Sequence, residues 1–163
     1  MAMINRRRFL TLAGMAGVAG AGGAYASFIE PYAVETNTYR IPVPHLPEAF
    51  AGFRIVHLTD IHHGSRIPLG WVRILVARAN RIRRDITVCT GDFVHAENTA
   101  REIDAVWPVL NGLKAPGGVY SVLGNHDHWA DSGRSQDYLA RSGQDLTYKA
   151  VKIERGGRRL WLA

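Results

Sequence analysis

From Phe9 to Phe28 the chain runs for twenty residues without a charge, rich in alanine and glycine. At 1.5 Å per residue a helix of that length just spans a hydrocarbon core of about 30 Å. Glycines at 14, 17, 20, 22 and 23 lower both its helix propensity and its hydrophobicity. A core helix of a soluble domain would carry a polar face, and this segment has none. Beyond it, Glu35 to Val43 alternates weakly and predicts an edge strand interrupted by Pro42, after which Pro44 and Pro47 exclude regular structure. The pattern then becomes regular. Ile55 to Thr59 is a short apolar run, read as a buried strand, with His57 as a packed core histidine. Pro68 suits a first helical turn, and Trp71 to Arg83 follows with helical period. Ile86 to Thr90 is a second buried strand. Thr99 and Glu102 suggest a capping box opening a helix through Leu110, kinked at Pro108. Gly118 to Leu123 is a third strand, Ser135 to Arg141 a short helix, and Thr147 to Ala163 a hairpin turning at Gly156-Gly157. Strand and helix alternate three times, which predicts an α/β class with a largely parallel, mixed central sheet behind a signal or anchor helix.

Composition bounds this picture. The 163 residues, 47% hydrophobic and 21% charged, suit one globular domain with an appendage and exclude a disordered chain. The single cysteine, Cys89, excludes an intrachain disulfide and falls inside the second strand, where it reads as core. A net charge of +6 first suggests nucleic acid or a membrane surface. Three of those charges are Arg6, Arg7 and Arg8, directly before the apolar run.

A basic start, an uncharged middle and the small residues of Ala24-Tyr25-Ala26 have the layout of an export signal. Asn5 to Leu10 resembles the twin-arginine export motif, with Asn5 in place of the usual Ser or Thr and Thr11 in place of the usual Lys. The predicted organisation is a signal peptide or anchor over 1–26, a connector over 27–52 and a catalytic-type domain over 53–163. The implied partners are the twin-arginine machinery and the membrane. The implied location is the periplasm or the outer face of the cytoplasmic membrane. Cleavage after Ala26 would leave 17 basic and 14 acidic residues, so no nucleic-acid partner is expected. The cluster Arg73, Arg78, Arg81, Arg83 and Arg84 is interleaved with apolar residues and reads as a solvated helix face rather than a phosphate patch.

Chemistry-bearing residues gather at the strand ends. Asp60-Ile61-His62-His63-Gly64 follows the first strand, Gly91-Asp92-Phe93-Val94-His95 the second, and Gly124-Asn125-His126-Asp127-His128 the third. Asp60 and Asp92 are 32 residues apart, Asp92 and Asn125 33, each one βαβ step. All three clusters therefore fall on the same sheet edge, where open α/β sheets bind ligands. Carboxylate, imidazole and amide donors without a thiolate suit Mn, Fe, Zn or Mg. Two such ions ~3.5–4 Å apart clamp an in-line displacement at phosphorus, and Asp92, central in chain order, is the economical bridge. Gly91 and Gly124 allow turns that bring backbone close to the ions.

The D-x-H, G-D and G-N-H-D elements, in order and with βαβ spacing, resemble the calcineurin-like metallophosphoesterase family over Arg54 to Ala163. With the N-terminal signal, the resemblance is to its exported or membrane-attached bacterial branch. It implies a layered sandwich and a dinuclear centre of two divalent ions hydrolysing a phosphomonoester or diester. Asp60 and His62 would hold the first ion, Asp92 would bridge, and Asn125 would bind the second and the substrate. His126 would be catalytic, contacting the phosphoryl group and protonating or stabilising the leaving oxygen. Where the family often has an aspartate orienting that histidine, this chain has His95, so His95 and Asp127 are the candidates for supporting roles. The family also supplies three downstream histidines, two in a G-H-x-H turn, and no histidine follows His128. The expectation is an amino-terminal portion of a longer enzyme. The alternative is a non-catalytic exported metal-binding or interaction domain that retains half of the site.

Overall fold

The computed structural model describes residues 5–64 and 66–163. The chain divides into two compact units, one ending at Ile41 and the other running from Pro42 to Ala163.

In the first unit the apolar run forms helix α1, Arg6–Phe28. The helix has 23 residues and contains an 18-residue stretch with a mean hydropathy of 1.3, long and apolar enough to cross a membrane, and every side chain is exposed. Asn5 is its N-cap: the side-chain oxygen accepts from Arg8 N–H at 2.9 Å, satisfying one of the helix's orphan donors. Ala24-Tyr25-Ala26 lies within the last turns of α1. The edge strand expected over Glu35 to Val43 does not form; the segment has no ladder partner among the described residues.

The second unit opens with a short 3-10 helix, Glu48–Phe50, whose Phe50 is fully buried. Strands β1 (Ile55–Leu58), β2 (Ile86–Cys89) and β3 (Val119–Ser121) form a parallel sheet in that spatial order. Ile55 pairs with Ile86, Leu58 with Cys89, and Cys89 with Ser121. Helix α2 (Leu69–Ala79) connects β1 to β2, and α3 (Ala100–Leu110) connects β2 to β3. Because the strand order advances in one direction, right-handed crossovers put both helices on the same face. Alternation along the strands follows from this. Val56, Cys89 and Val119 meet Val72, Val76, Val106, Trp107 and Leu110 on the helical face. Ile86, Val88 and Tyr120 meet Phe50, Ile153 and Leu160 on the other. That second face is covered by an antiparallel hairpin, β4 (Val151–Arg155) and β5 (Arg158–Leu162). Its two-residue turn, Gly156-Gly157, has φ of 55° and 70°, which glycine adopts without the penalty of a Cβ. The result is the expected mixed α/β layering around a parallel sheet.

Several local expectations are corrected. His57 is exposed rather than packed, with its ring bonded to Thr90 Oγ1 at 2.8 Å. It shares the hairpin-side face of the edge strand β1 with Ile55, itself 53% exposed, where no described layer covers them. Thr99 is the N-cap of α3 but its side chain makes no capping hydrogen bond. Pro68 is the N-cap of α2 rather than a residue of its first turn, and α2 ends at Ala79. There Asn80 and the Arg84 guanidinium take over, Arg84 donating to the carbonyls of Asn80, Ile82 and Lys114. Arg84 is thus a helix-end clamp, while Arg73, Arg78, Arg81 and Arg83 are exposed as expected. The short helix expected over Ser135 to Arg141 is the end of a longer one, α4 (Asn125–Ser142), with a non-helical break at Asp131.

Candidate metal centre

Pairing between the first two strands continues past their ends. Asp60 N–H donates to Gly91 O (3.2 Å), His62 N–H to Asp92 O (2.9 Å), His63 N–H to Phe93 O (2.8 Å), and His95 N–H to His63 O (3.0 Å). These bonds hold the loop after β1 in register with the loop after β2. Within them Asp60, His62 and Asp92 have φ of 53°, 49° and 53°. Non-glycine residues enter this left-handed region at a cost of about 1 kcal/mol or more, and such strain concentrates at functional sites. The turns alternate the chain direction so that three side chains converge: Asp60, His62 and Asp92 each offer a donor atom, and these lie within 4.8 Å of one another. His62 Nε2 is 3.5 Å from Asp60 Oδ1.

The third loop is docked onto the second by glycine contacts. A Cβ on Gly91 would lie 2.0 Å from Gly124 N, and one on Gly124 would lie 2.2 Å from Asp92 Oδ1. Only with both side chains absent can the start of α4 approach Asp92. The approach is fixed by His126 N–H donating to Asp92 Oδ1 at 2.9 Å. Asn125 is therefore the first residue of α4, exposed, beside this contact, rather than part of an open loop.

Asp127 is the clamp of the arrangement. It is 1% exposed; Oδ1 accepts from Phe93 N–H (2.9 Å) and Val94 N–H (3.3 Å), and Oδ2 from Gly124 N–H (3.0 Å). Burial pushes its carboxyl above the usual carboxylate range, and the backbone donors pull the other way. His126 is held at the opposite side: its Nδ1 lies 3.0 Å from the backbone carbonyl of His95. A carbonyl can only accept, so Nδ1 carries the proton and Nε2 faces the site. The orienting partner of His126 is thus the main chain of residue 95. The His95 ring stacks on that of His126 (5.5 Å, 15°), and His62 stands edge-on to His126 (4.7 Å, 89°).

The other histidines do not converge. Buried His63 bonds Ile67 O through Nδ1, exposed His128 bonds Ser132 Oγ, and His45 is exposed. Cys89 is buried in the core, its thiol pushed up to about 11 by desolvation, which keeps it protonated and inert. Trp129 was not marked by any motif. It lies three residues after His126 in α4, with its ring 4.9 Å from that imidazole and 52% exposed. The signal for it is the helical i, i+3 spacing, visible only once α4 is known to start at Asn125.

The donors fit a divalent cation. Two carboxylates and an imidazole match hard-to-borderline ions. Moreover, His62 Nδ1 is buried without a hydrogen-bond partner among the described residues, a polar atom that a bound ion or a proton shift would satisfy.

A sequence model of the calcineurin-like phosphoesterases matches residues 53–158. The chain belongs to that family. It is 35% identical over 133 residues to an uncharacterized metallophosphoesterase, YkuE, of Bacillus subtilis, covering 78% of this chain and 46% of that protein. It is 31% identical over 132 residues to a metallophosphoesterase of Aquifex aeolicus, covering 80% of this chain and 49% of the relative. The phosphodiesterase YaeI of Escherichia coli is 27% identical over 125 residues, 77% of this chain and 45% of its own length. The chain thus spans about half the length of these relatives. No solved structure matches it. Family membership and strand-end geometry coincide: the matched region contains Asp60, His62, Asp92, Asn125 and His126.

Proposed function

We propose that the protein hydrolyses a phosphomonoester or phosphodiester with two divalent ions, drawn from Mn, Fe, Zn and Mg, outside the cytoplasm. The observation that carries this reading is the convergence of Asp60, His62 and Asp92 within 4.8 Å at the carboxyl ends of adjacent parallel strands, in a calcineurin-like phosphoesterase. Bound there, the two ions would supply an activated water and neutralise phosphoryl charge. Asp60 and His62 would hold the first ion. Asp92 would be shared between the two, and its Oδ1 is already bonded to His126 N–H and so fixed in direction. Asn125 would hold the second ion and a phosphoryl oxygen. His126, with Nδ1–H tied to the His95 carbonyl, presents Nε2 toward the substrate and in its protonated form donates to the leaving oxygen. Asp127 sets the spacing of the loops that carry Asp92 and His126.

This activity is proposed for the whole protein. On the same reading, residues 1–26 are a twin-arginine signal or anchor, 27–52 a connector, and 53–163 part of the phosphoesterase domain. The support is the Arg6-Arg7 pair followed by Phe9-Leu10, and the fully exposed apolar helix α1. The location on this reading is the periplasm or the outer face of the cytoplasmic membrane.

Asp92→Asn tests the bridging role in the whole protein. One neutral amide cannot balance two dications at ~3.5–4 Å, so both ion occupancy and aryl phosphate hydrolysis should be lost. Metal analysis showing two ions still bound with normal turnover would remove the assignment. Metal binding without turnover in the unaltered whole protein would favour a non-catalytic metal-binding domain.

A further inference from the structure

His62 belongs to a second group of donors. His62, His95 and His126 each offer a ring nitrogen, and these three atoms also lie within 4.8 Å of one another. The rings of His95 and His126 stack at 15°, and His62 stands at 77° to one and 89° to the other, with centroid separations from 4.7 to 5.5 Å. Three nitrogens around one tetrahedral ion at about 2.0–2.1 Å sit about 3.3 Å apart. The exposed His95 side chain can turn to close that gap, since no hydrogen bond to its ring holds it elsewhere among the described residues.

Two features prepare the group for an ion. His126 donates Nδ1–H to a main-chain carbonyl at 3.0 Å, the arrangement that fixes the tautomer of a metal-ligating histidine and leaves Nε2 as the ligand. His62 Nδ1 is buried without a partner among the described residues, so either ring nitrogen can take the ion while the proton relocates to the other.

We propose that His62, His95 and His126 form a metal site of their own, selective for imidazole-preferring ions such as zinc, nickel and copper, and exclusive of the carboxylate-rich site. Exclusion follows because one neutral imidazole has one lone pair and His62 is shared. All-nitrogen donors raise the preference for Zn, Ni and Cu, whereas Asp60, His62 and Asp92 together also accept the harder Mn and Mg. The consequence is regulatory and rests on the phosphoesterase reading: an ion on the three histidines withdraws His126 from the substrate and His62 from the first metal.

The test uses the full chain in detergent, with Zn²⁺ affinity from competition with a chromophoric chelator, Co²⁺ absorption reporting tetrahedral nitrogen ligation, and Mn²⁺ binding by electron paramagnetic resonance. His95→Ala and His95→Gln should each weaken Zn²⁺ binding at least tenfold and remove the tetrahedral Co²⁺ bands. Even outer partners of metal ligands are worth 10–100-fold. Both variants should leave Mn²⁺ affinity unchanged, and their exposed position keeps the fold intact, checked by thermal unfolding. Asp92→Asn should do the reverse, weakening Mn²⁺ and sparing Zn²⁺. Wild-type Zn²⁺ affinity in both His95 variants, or parallel loss of Zn²⁺ and Mn²⁺, would overturn the site. In the whole protein loaded with Mn²⁺, added Zn²⁺ should inhibit aryl phosphate hydrolysis, and His95→Gln should resist it; equal inhibition of the two would overturn the regulatory role. Failure of the phosphoesterase reading itself appears separately, as no hydrolysis under any metal, and leaves the His95 binding result intact.

Discussion

At Gly124 a single hydrogen atom in place of a methyl group decides whether the third loop can reach the second. A Cβ there would sit 2.2 Å from Asp92 Oδ1 and 2.6 Å from Asp92 N. Gly124→Ala should therefore push Asp92 out of line with Asp60 and His62. Overpacking of this kind costs about 1–3 kcal/mol, and thermal unfolding should register it. Mn²⁺ affinity should fall in the same variant, since one donor leaves the group. An alanine variant with wild-type stability and binding would mean that the loops are not held this close in solution. Gly91 is more constrained still, with φ of 90° and a Cβ contact of 2.0 Å to backbone rather than side chain. Neither glycine ligates anything, yet both determine where ligands stand.

Helices α3 and α4 carry the site loops from behind, and two contacts join them. Trp107 of α3 is 1% exposed, its ring edge-on to Phe93 at 5.2 Å and stacked on Tyr138 at 6.2 Å. Phe93 directly follows Asp92, so this packing supports Asp92 from the core side. Trp107→Ala should cost about 3–5 kcal/mol, measured by denaturant unfolding. The second contact is at the surface. Arg134 donates to Asp104 through Nε (2.7 Å) and an NH2 nitrogen (2.8 Å), and Tyr138 O–H adds a third bond at 2.9 Å. The Arg134 and Tyr138 bonds hold the Asp104 carboxyl below the usual range. A depressed folded value means that the unfolded chain binds more protons in acid. The network's contribution is thus present above the ordinary aspartate range and lost as pH falls through the depressed folded value. Asp104→Asn should lower the melting temperature at neutral pH and have a shrinking effect toward acid. A deficit independent of pH would show that the bond geometry, not the charge, matters there.

At the scale of the molecule, the two units are physically unlike. The first contains a helix whose residues from Phe9 to Phe28 carry no charge and are all exposed, which water does not favour at this length. The second buries its own core on both faces of a three-stranded sheet. If residues 1–26 act as the proposed twin-arginine signal, replacing Arg6 and Arg7 by Lys should leave the protein in the cytoplasm on cell fractionation, and an unchanged distribution would exclude that route. In the hairpin, Leu160 and Leu162 pack against the cluster of Phe50, Ile86 and Ile153, while Trp161 between them is 59% exposed.

The order of strands and helices, the parallel sheet and the placement of Asp60, His62, Asp92, Asn125 and His126 at one edge were legible along the chain. Local patterning and βαβ spacing determine them without reference to distant contacts. The Gly156-Gly157 turn was legible for the same reason, since its backbone angles favour that residue. Other features needed the tertiary structure. Periodicity gives the face on which His57 lies but not whether another layer covers that face. The start of α4 at Asn125 depends on Asp127 reaching back to Gly124 N–H and across to Phe93 and Val94 at once, a bond set spanning two loops. The association of His95 with His62 and His126 depends on left-handed turns at Asp60, His62 and Asp92, residues that seldom adopt them unless surrounding contacts compel it. Sequence determined which chemistry reaches the sheet edge, because that follows from spacing; packing decided which side chains face one another there, because that follows from backbone turns fixed by contacts some 30 residues apart.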